Sequence, residues 1–147
     1  MPFRLEIVTA ERVVLSDEVD QVNVPGAGGR MGILARHEPL LTSLLPGELD
    51  IIKRGERTPF AISGGFMEVL PDRVTILADT AERADEIDEA RAEAARQRAE
   101  TLMRERRSDQ EMQLAEAQLR RAMVRLAVAR LKRGGRRGGP GGGLGDE

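Results

Sequence analysis

Apolar and polar residues alternate with a period of two through most of the first half of the chain. Phe3-Arg-Leu-Glu-Ile-Val8 alternates, Val13-Val14-Leu15 follows a polar break, and Val19 to Val24 alternates again before Pro25-Gly26-Ala27-Gly28-Gly29. Met31 to Leu34, Leu40 to Leu45, Leu49 to Lys53, Phe60 to Ser63, Phe66 to Leu70 and Val74 to Ala78 are further short apolar segments. Turn signals stand between them at Pro46-Gly47, Arg54-Gly55, Gly64-Gly65 and Pro71-Asp72. Many short strands at close, regular spacing predict an antiparallel sandwich or barrel. No helical period separates them, so a parallel α/β sheet is not expected.

The pattern changes near Ala84. From Asp85 to Arg107 the residues are mainly Ala, Glu and Arg, all good helix formers. Asp85 is placed to cap the first turn, with Glu86, Asp88 and Glu89 at the positive end of the helix dipole. Ser108-Asp109-Gln110-Glu111 breaks the run and matches a capping box, and a second helix is predicted from about Asp109 to Lys132. So short a link makes an antiparallel hairpin. The second helix carries the stripe Ala115, Leu119, Ala122, Leu126 and Ala129, which Met123, Ala127 and Leu131 are expected to widen. The first offers mostly alanine, with Ile87, Leu102 and Met103. An alanine seam buries little apolar area, so such a hairpin is expected to dock weakly and to be able to leave its place. Residues 134–147 are largely glycine and arginine and are expected to be disordered. The predicted fold is an N-terminal antiparallel β-sandwich over residues 1–84, then an antiparallel two-helix hairpin over 85–133, then the tail.

Composition narrows the function. Cysteine is absent, which removes disulfides and thiolate chemistry. Tyr and Trp are absent and Phe occurs three times, which argues against a module that stacks nucleic-acid bases. No apolar run is long enough to span a membrane. The net charge of −2 conceals a basic block: Ala117 to Arg137 holds seven Arg and one Lys with no acid. That block is either a solvated helix face or a surface for a negatively charged partner.

Catalytic constellations are poor. His37 is the single histidine and reads as a turn or interface residue. Ser63-Gly64-Gly65 lacks a nucleophile-elbow pattern, and the glycine-rich stretch 26–32 matches no phosphate-binding fingerprint. No catalytic or metal residue is assigned. The hairpin is richer. Asp88, Arg91, Ala95 and Arg98 share one face of the first helix, and Arg121 and Arg125 lie beside the Leu126 seam. Arginine forks bind phosphate bidentately. The alternative is an Asp88 that serves the helix dipole beside solvated arginines.

The same residues carry a family resemblance. Glu86-Ile-Asp-Glu-Ala-Arg-Ala-Glu-Ala-Ala-Arg-Gln-Arg-Ala-Glu100 resembles the first C-terminal helix of the bacterial ATP synthase epsilon subunits, with their Ile-Asp-x-x-Arg-Ala motif. Leu119 to Ala129 resembles their second helix. In the first half, Val22-Asn-Val-Pro-Gly26, Gly32-Ile-Leu34, His37-Glu-Pro-Leu-Leu-Thr42, Ala61-Ile-Ser-Gly-Gly-Phe-Met-Glu-Val69 and Val74-Thr-Ile-Leu-Ala-Asp79 are similar to the same family, in order. Arg30-Met31 and Ala35-Arg36 depart from its usual pattern.

The resemblance implies a non-catalytic rotor subunit of the proton-translocating F-type ATP synthase. Its head would bind the γ subunit and rest on the c-ring, with Arg30 and His37 in the region facing the ring. Its hairpin would bind ATP as a regulatory ligand, with no cofactor, through Asp88, Arg91, Arg98, Arg121 and Arg125, with Ile87 and Ala92 shaping the pocket. Extended, the hairpin would inhibit ATP hydrolysis through Arg120, Arg130, Lys132 and Arg133 against the catalytic α/β subunits. The subunit would lie on the cytoplasmic face of the plasma membrane, held there through the complex. Two rival expectations are a rotor subunit that has lost ATP binding and a freestanding nucleotide-sensing module.

Overall fold

A computed structural model describes the backbone of residues 1–138 and the side chains through Leu131. Two compact units are present, Met1–Arg83 and a second that begins at Ala84.

The first unit is the head. Its strands are β1 (Phe3–Val8), β2 (Val13–Val19), β3 (Gln21–Gly26), β4 (Gly29–Leu34), β5 (Leu40–Lys53), β6 (Glu56–Leu70), β7 (Arg73–Ala78) and β8 (Ala81–Arg83). They hydrogen-bond in the order β2-β1-β7-β6-β5-β3-β4, with β8 added to β6. The pairings are antiparallel except β1 with β7, which run parallel. This path folds over a core that includes Leu5, Ile7, Val22, Ile33, Leu49, Phe60, Met67 and Ile76, the β-sandwich that the alternation predicts.

The alternation misplaces several strand ends. Pro46-Gly47 and Gly64-Gly65, expected as turns, lie inside β5 and β6, with Pro46 opposite Ser63 and Gly47 opposite Ile62. They bend the strands without ending them. Gly64 and Gly65 take φ of 107° and 141°, which side-chain-bearing residues rarely adopt. A Cβ on Gly65 would lie 2.0 Å from the Leu77 carbonyl oxygen, so β7 can come this close only to a glycine. The bend also changes β6's neighbour. Before it, Phe60 to Ile62 pairs with β8, and after it, Gly65 to Leu70 pairs with β7. Arg54-Gly55 is the expected turn, with φ of 54° and 80° joining Lys53 to its partner Glu56. The apolar run Val19 to Val24 divides at Asp20, whose carboxylate accepts the Arg54 N–H at 2.7 Å.

The second unit holds α1 (Glu89–Glu105) and α2 (Asp109–Gly138). Asp85 does not cap α1. It lies in a 3-10 turn, Ala84–Glu86, closed by the Ile87 N–H on the Ala84 carbonyl. The chain reopens at Asp88, which takes an extended conformation and caps α1 by accepting the Arg91 N–H at 3.2 Å. Ser108 caps α2 as predicted, its Oγ accepting the Glu111 N–H at 3.1 Å, while the return bond of the box falls one residue before the cap. Glu111 reaches back to the Arg107 N–H at 2.6 Å. Helix α2 continues through Gly134 and Gly135 to Gly138, because glycine lowers helix propensity without barring it. The rest of the expected tail, 139–147, lies outside the described residues.

The hairpin seam keeps most of the predicted stripe, with Leu119 and Leu131 half-buried. Ala92 and Ala99 on α1 and Ala115, Ala122, Leu126, Val128 and Ala129 on α2 are buried. Met123 and Ala127 face outward, so the stripe widens through Val128 instead. No helix among the described residues is long and apolar enough to cross a membrane.

Candidate functional site

Three groups of residues have a chemistry beyond holding the fold, two in the head and one in the hairpin.

The first is apolar. On β1, the burial of Phe3, Leu5 and Ile7 turns Arg4, Glu6 and Val8 to the outer face. Val8 stands opposite Val13 of β2 on one side and Leu77 of β7 on the other. Leu77 stands opposite Phe66 of β6, and Phe66 opposite Ser43 of β5. One row of pairings therefore carries Val13, Val8, Leu77 and Phe66 across four strands. Leu41 and Leu45 flank Ser43 on β5. Val13, Phe66 and Leu77 are each more than half exposed, as is Leu41 at 72%. Alternation marks these as outward positions where polar residues are the rule. Val8 is half-buried, and the three exposed apolar side chains around it in one row signal a docking surface.

The second group is charged. Arg30 of β4, Glu48 and Asp50 of β5, and Arg57 of β6 form one cluster. Arg30 Nη2 donates to Asp50 Oδ2 at 3.0 Å, and its Nη1 donates to the Glu48 main-chain oxygen at 2.6 Å. Arg57 donates to the Glu48 carboxylate and, at 3.2 Å, to Asp50 Oδ2. Arg57 Nε also stands 3.1 Å from Asp50 Oδ1, within ion-pair reach but not aligned as a hydrogen bond. The Asp50 side chain is only 6% exposed, so its charge needs both guanidinium groups. Burial and the neighbouring Asp50 carboxyl push Glu48 above the usual carboxylate range, against the pull of Arg57. The sequence gives little warning of this cluster beyond one acid, Asp50, set in Leu49-Asp50-Ile51-Ile52. Arg30 thus has its guanidinium committed within the head. His37 lies in the 35–39 connection between β4 and β5, with Nδ1 2.7 Å from the Glu38 carbonyl oxygen.

The third group is the hairpin face. Asp88 is exposed and caps α1. Arg91 and Arg98 are exposed on α1, Arg121 is exposed on α2, and Arg125 is half-buried there. Ile87 is half-buried and Ala92 fully buried. Arg96, between the two α1 arginines, is held by Glu93 and, at 2.6 Å, by Glu100. Arg96 chiefly, and then Gln97, hold the Glu93 carboxyl low, and Arg130 of α2 adds to the pull. Helices α1 and α2 pack on each other as the antiparallel hairpin that their short link requires. Asp88 and Arg98 are about 15 Å apart along α1, at 1.5 Å rise per residue. Ala94, Gln97, Arg98, Thr101 and Leu102 line a depression on the same helix. Of the basic residues expected to meet the catalytic subunits, Arg120 and Arg130 are exposed, and the Lys132 and Arg133 side chains lie outside the described residues. Among the described residues no group of three or more His, Asp and Glu side chains is placed to hold a metal ion.

Comparison with known proteins decides the family. Residues 2–84 match the model of the ATP synthase delta/epsilon chain β-sandwich domain, and residues 85–130 match that of its long α-helix domain. The chain belongs to the ATP synthase delta/epsilon family. Within that family it is similar to proteins named ATP synthase epsilon chain. It is 68% identical to the one from Herpetosiphon aurantiacus over 133 residues, covering 90% of this chain and 98% of that one. It is 70% identical to the Chloroflexus aggregans protein over 131 residues, 89% of this chain and 94% of that one. Among solved structures, a chain of the Euglena gracilis mitochondrial ATP synthase, described as OSCP/F1/c-ring, superposes with a TM-score of 0.75 at 25% identity. The match covers 88% of this chain and 81% of that one. A chain of the Tetrahymena thermophila central stalk and c-ring shares the fold, with a TM-score of 0.59 at 13% identity over 88% of this chain and 97% of that one. As an epsilon-type chain it is a non-catalytic subunit of the ATP synthase.

Proposed function

We propose that this chain couples the γ subunit to the c-ring at the foot of the rotor, and that its hairpin acts as an ATP-sensitive brake on ATP hydrolysis. The observation that carries the first half is the apolar row Val13, Val8, Leu77 and Phe66, exposed at all but Val8 and flanked by Leu41 and Leu45. A row of this kind, spanning four strands of a rigid sheet, suits an apolar face of γ. The 35–39 loop with His37 is assigned to the c-ring, and Arg30 serves it through the strand that it holds. The complex sits on the cytoplasmic face of the plasma membrane, and the subunit reaches that membrane through its partners.

The brake rests on the hairpin. Asp88 and Arg91 at one end of α1, with Arg98 further along it and Arg125 on α2, can address opposite ends of an extended ligand such as ATP. Ile87 and Ala92 flank the Asp88 end, and Arg121 lies one turn from Arg125. One observation favours the rival in which ATP does not bind: the Asp88 carboxylate already serves as the α1 cap. Its second oxygen stays available to a ligand, so the cap and an orienting role are compatible.

The docking face is tested by Phe66→Asp together with Leu77→Asp. Both side chains are more than half exposed, so the head should fold normally. Burial of a large apolar side chain stabilises by about 1.5–3 kcal/mol, so losing two should weaken association with purified γ by about a hundredfold or more. Leu114→Asp, an equally exposed change on α2, should leave it unaltered. Unchanged binding by the double variant would remove this face from the γ contact.

A further inference from the structure

The β3–β5 ladder breaks at an identifiable place. Gln21 pairs with Ile52 and Asn23 with Asp50, but the next pairing is Gly26 with Leu44. Continued by two places, the first register would set Pro25 against Glu48. Proline has no N–H to give, and it occurs in sheets at edges and bulges for that reason. The Pro25 ring lies over Gly47, where a Cβ would meet it at 3.0 Å. On the other side of Pro25, its β4 partner is Arg30. The Arg30 guanidinium spans β3 and donates to the Glu48 carbonyl oxygen at 2.6 Å.

We infer that Arg30 is a side-chain splice, supplying across β3 the donor that Pro25 cannot, and so binding the edge strand β4 to β5. Asp50 aims the splice from its buried position, and Arg57 holds Asp50 from β6. Strand β4 needs such a device. It lies at the end of the strand order, with β3 as its one sheet neighbour, and β3 is the strand whose ladder is broken. Residues 35–39 follow β4 directly, and their near end is pinned by the Arg36 N–H on the Pro71 carbonyl at 3.1 Å. With both attachments made, the loop moves with the sheet as one body. That the loop meets the c-ring belongs to the proposed function. The splice itself does not depend on that reading.

The test is amide hydrogen exchange on the full-length chain, comparing Arg30→Met alone, Pro25→Ala alone and the two together. Losing a hydrogen bond from a charged donor corresponds to about ten- to a hundredfold in an opening equilibrium. Arg30→Met should accelerate the β4 amides on that scale and leave those of β1 and β7 near their original rates. Adding Pro25→Ala restores a backbone N–H at the break and should recover at least half of the lost protection on a logarithmic scale. No acceleration, acceleration spread evenly over the head, or no recovery with Pro25→Ala would each overturn the splice. If Arg30→Met does not fold, Arg30→Lys decides. Acceleration confined to β4 supports the splice, and none or a uniform one overturns it.

Discussion

Removing residues 85–147 should leave a head that folds, joins γ and supports coupled proton pumping, while ATP hydrolysis by the assembled complex rises. The head has its own core and its own hydrogen-bonded sheet. The hairpin, by contrast, is closed largely by alanine: among the described residues five of the seven buried apolar positions on its helices, Ala92, Ala99, Ala115, Ala122 and Ala129, carry only a methyl group. So small a buried area stabilises weakly, and an extended state is within reach. In the proposed brake an extended α2 would present arginines to acidic surface on the catalytic subunits, an attraction that should weaken with salt. ATP opposes extension only if it binds the folded hairpin more tightly, so the rise on deletion should be largest when ATP is scarce.

Charge reversal should separate the proposed brake from the proposed ATP site, and the choice of residue matters. Arg130 lies near enough to Glu93 to help hold that carboxyl low. Arg130→Glu would turn that attraction into repulsion and loosen the folded hairpin as well as weaken the extended contact. Arg120 is exposed and enters no ion pair with α1 among the described residues, so Arg120→Glu is the cleaner change. It should relieve inhibition while leaving ATP binding by the isolated subunit within about twofold, because an exposed charge pair contributes little. Identical rate-against-ATP curves for intact, truncated and Arg120→Glu complexes would show that the hairpin is no brake.

ATP titration of the isolated chain should show saturable binding that depends on particular arginines. A hydrogen bond to a charged group is worth about 1.5–3 kcal/mol, or roughly ten- to a hundredfold in affinity. Arg91→Ala and Arg125→Ala should each weaken binding on that scale. Arg104→Ala is the control. It lies near the α1 C-terminus, exposed, with its guanidinium on the Thr101 hydroxyl at 3.3 Å. Equal losses at all three positions would mean general attraction between a basic hairpin and a polyanion. No binding at all would leave the Asp88 carboxylate with its capping role alone.

The alternation of Phe3 to Val8 and Val74 to Ala78 was enough to name strands and a sandwich, because a period of two fixes which side chains face the core. It was not enough to count them. Pro46-Gly47 and Gly64-Gly65 have the composition of turns, yet here they bend long strands. The difference lies in the approach of β7 to Gly65, a long-range contact that local composition does not carry. The parallel β1–β7 pair is likewise a tertiary event. Caps were legible where both partners are near in sequence, as with Ser108 and Glu111. They were misread where two acids competed and a 3-10 turn took Asp85 out of contention. The hairpin arginines were visible as a helical face. The Arg30, Glu48, Asp50 and Arg57 cluster was not, since its members come from three strands and meet only through register.

The most direct measurement is reconstitution. An ATP synthase complex stripped of its epsilon-type subunit is mixed with this chain, and proton pumping driven by ATP hydrolysis is recorded alongside the chain's retention with γ and the c-ring. A rotor subunit that joins γ to the ring should be retained and should restore pumping. The Phe66→Asp, Leu77→Asp variant should be lost on washing and restore little. Pumping restored equally by that variant would contradict docking through the apolar row, and an intact chain that neither stays with γ nor restores pumping would contradict the rotor role itself.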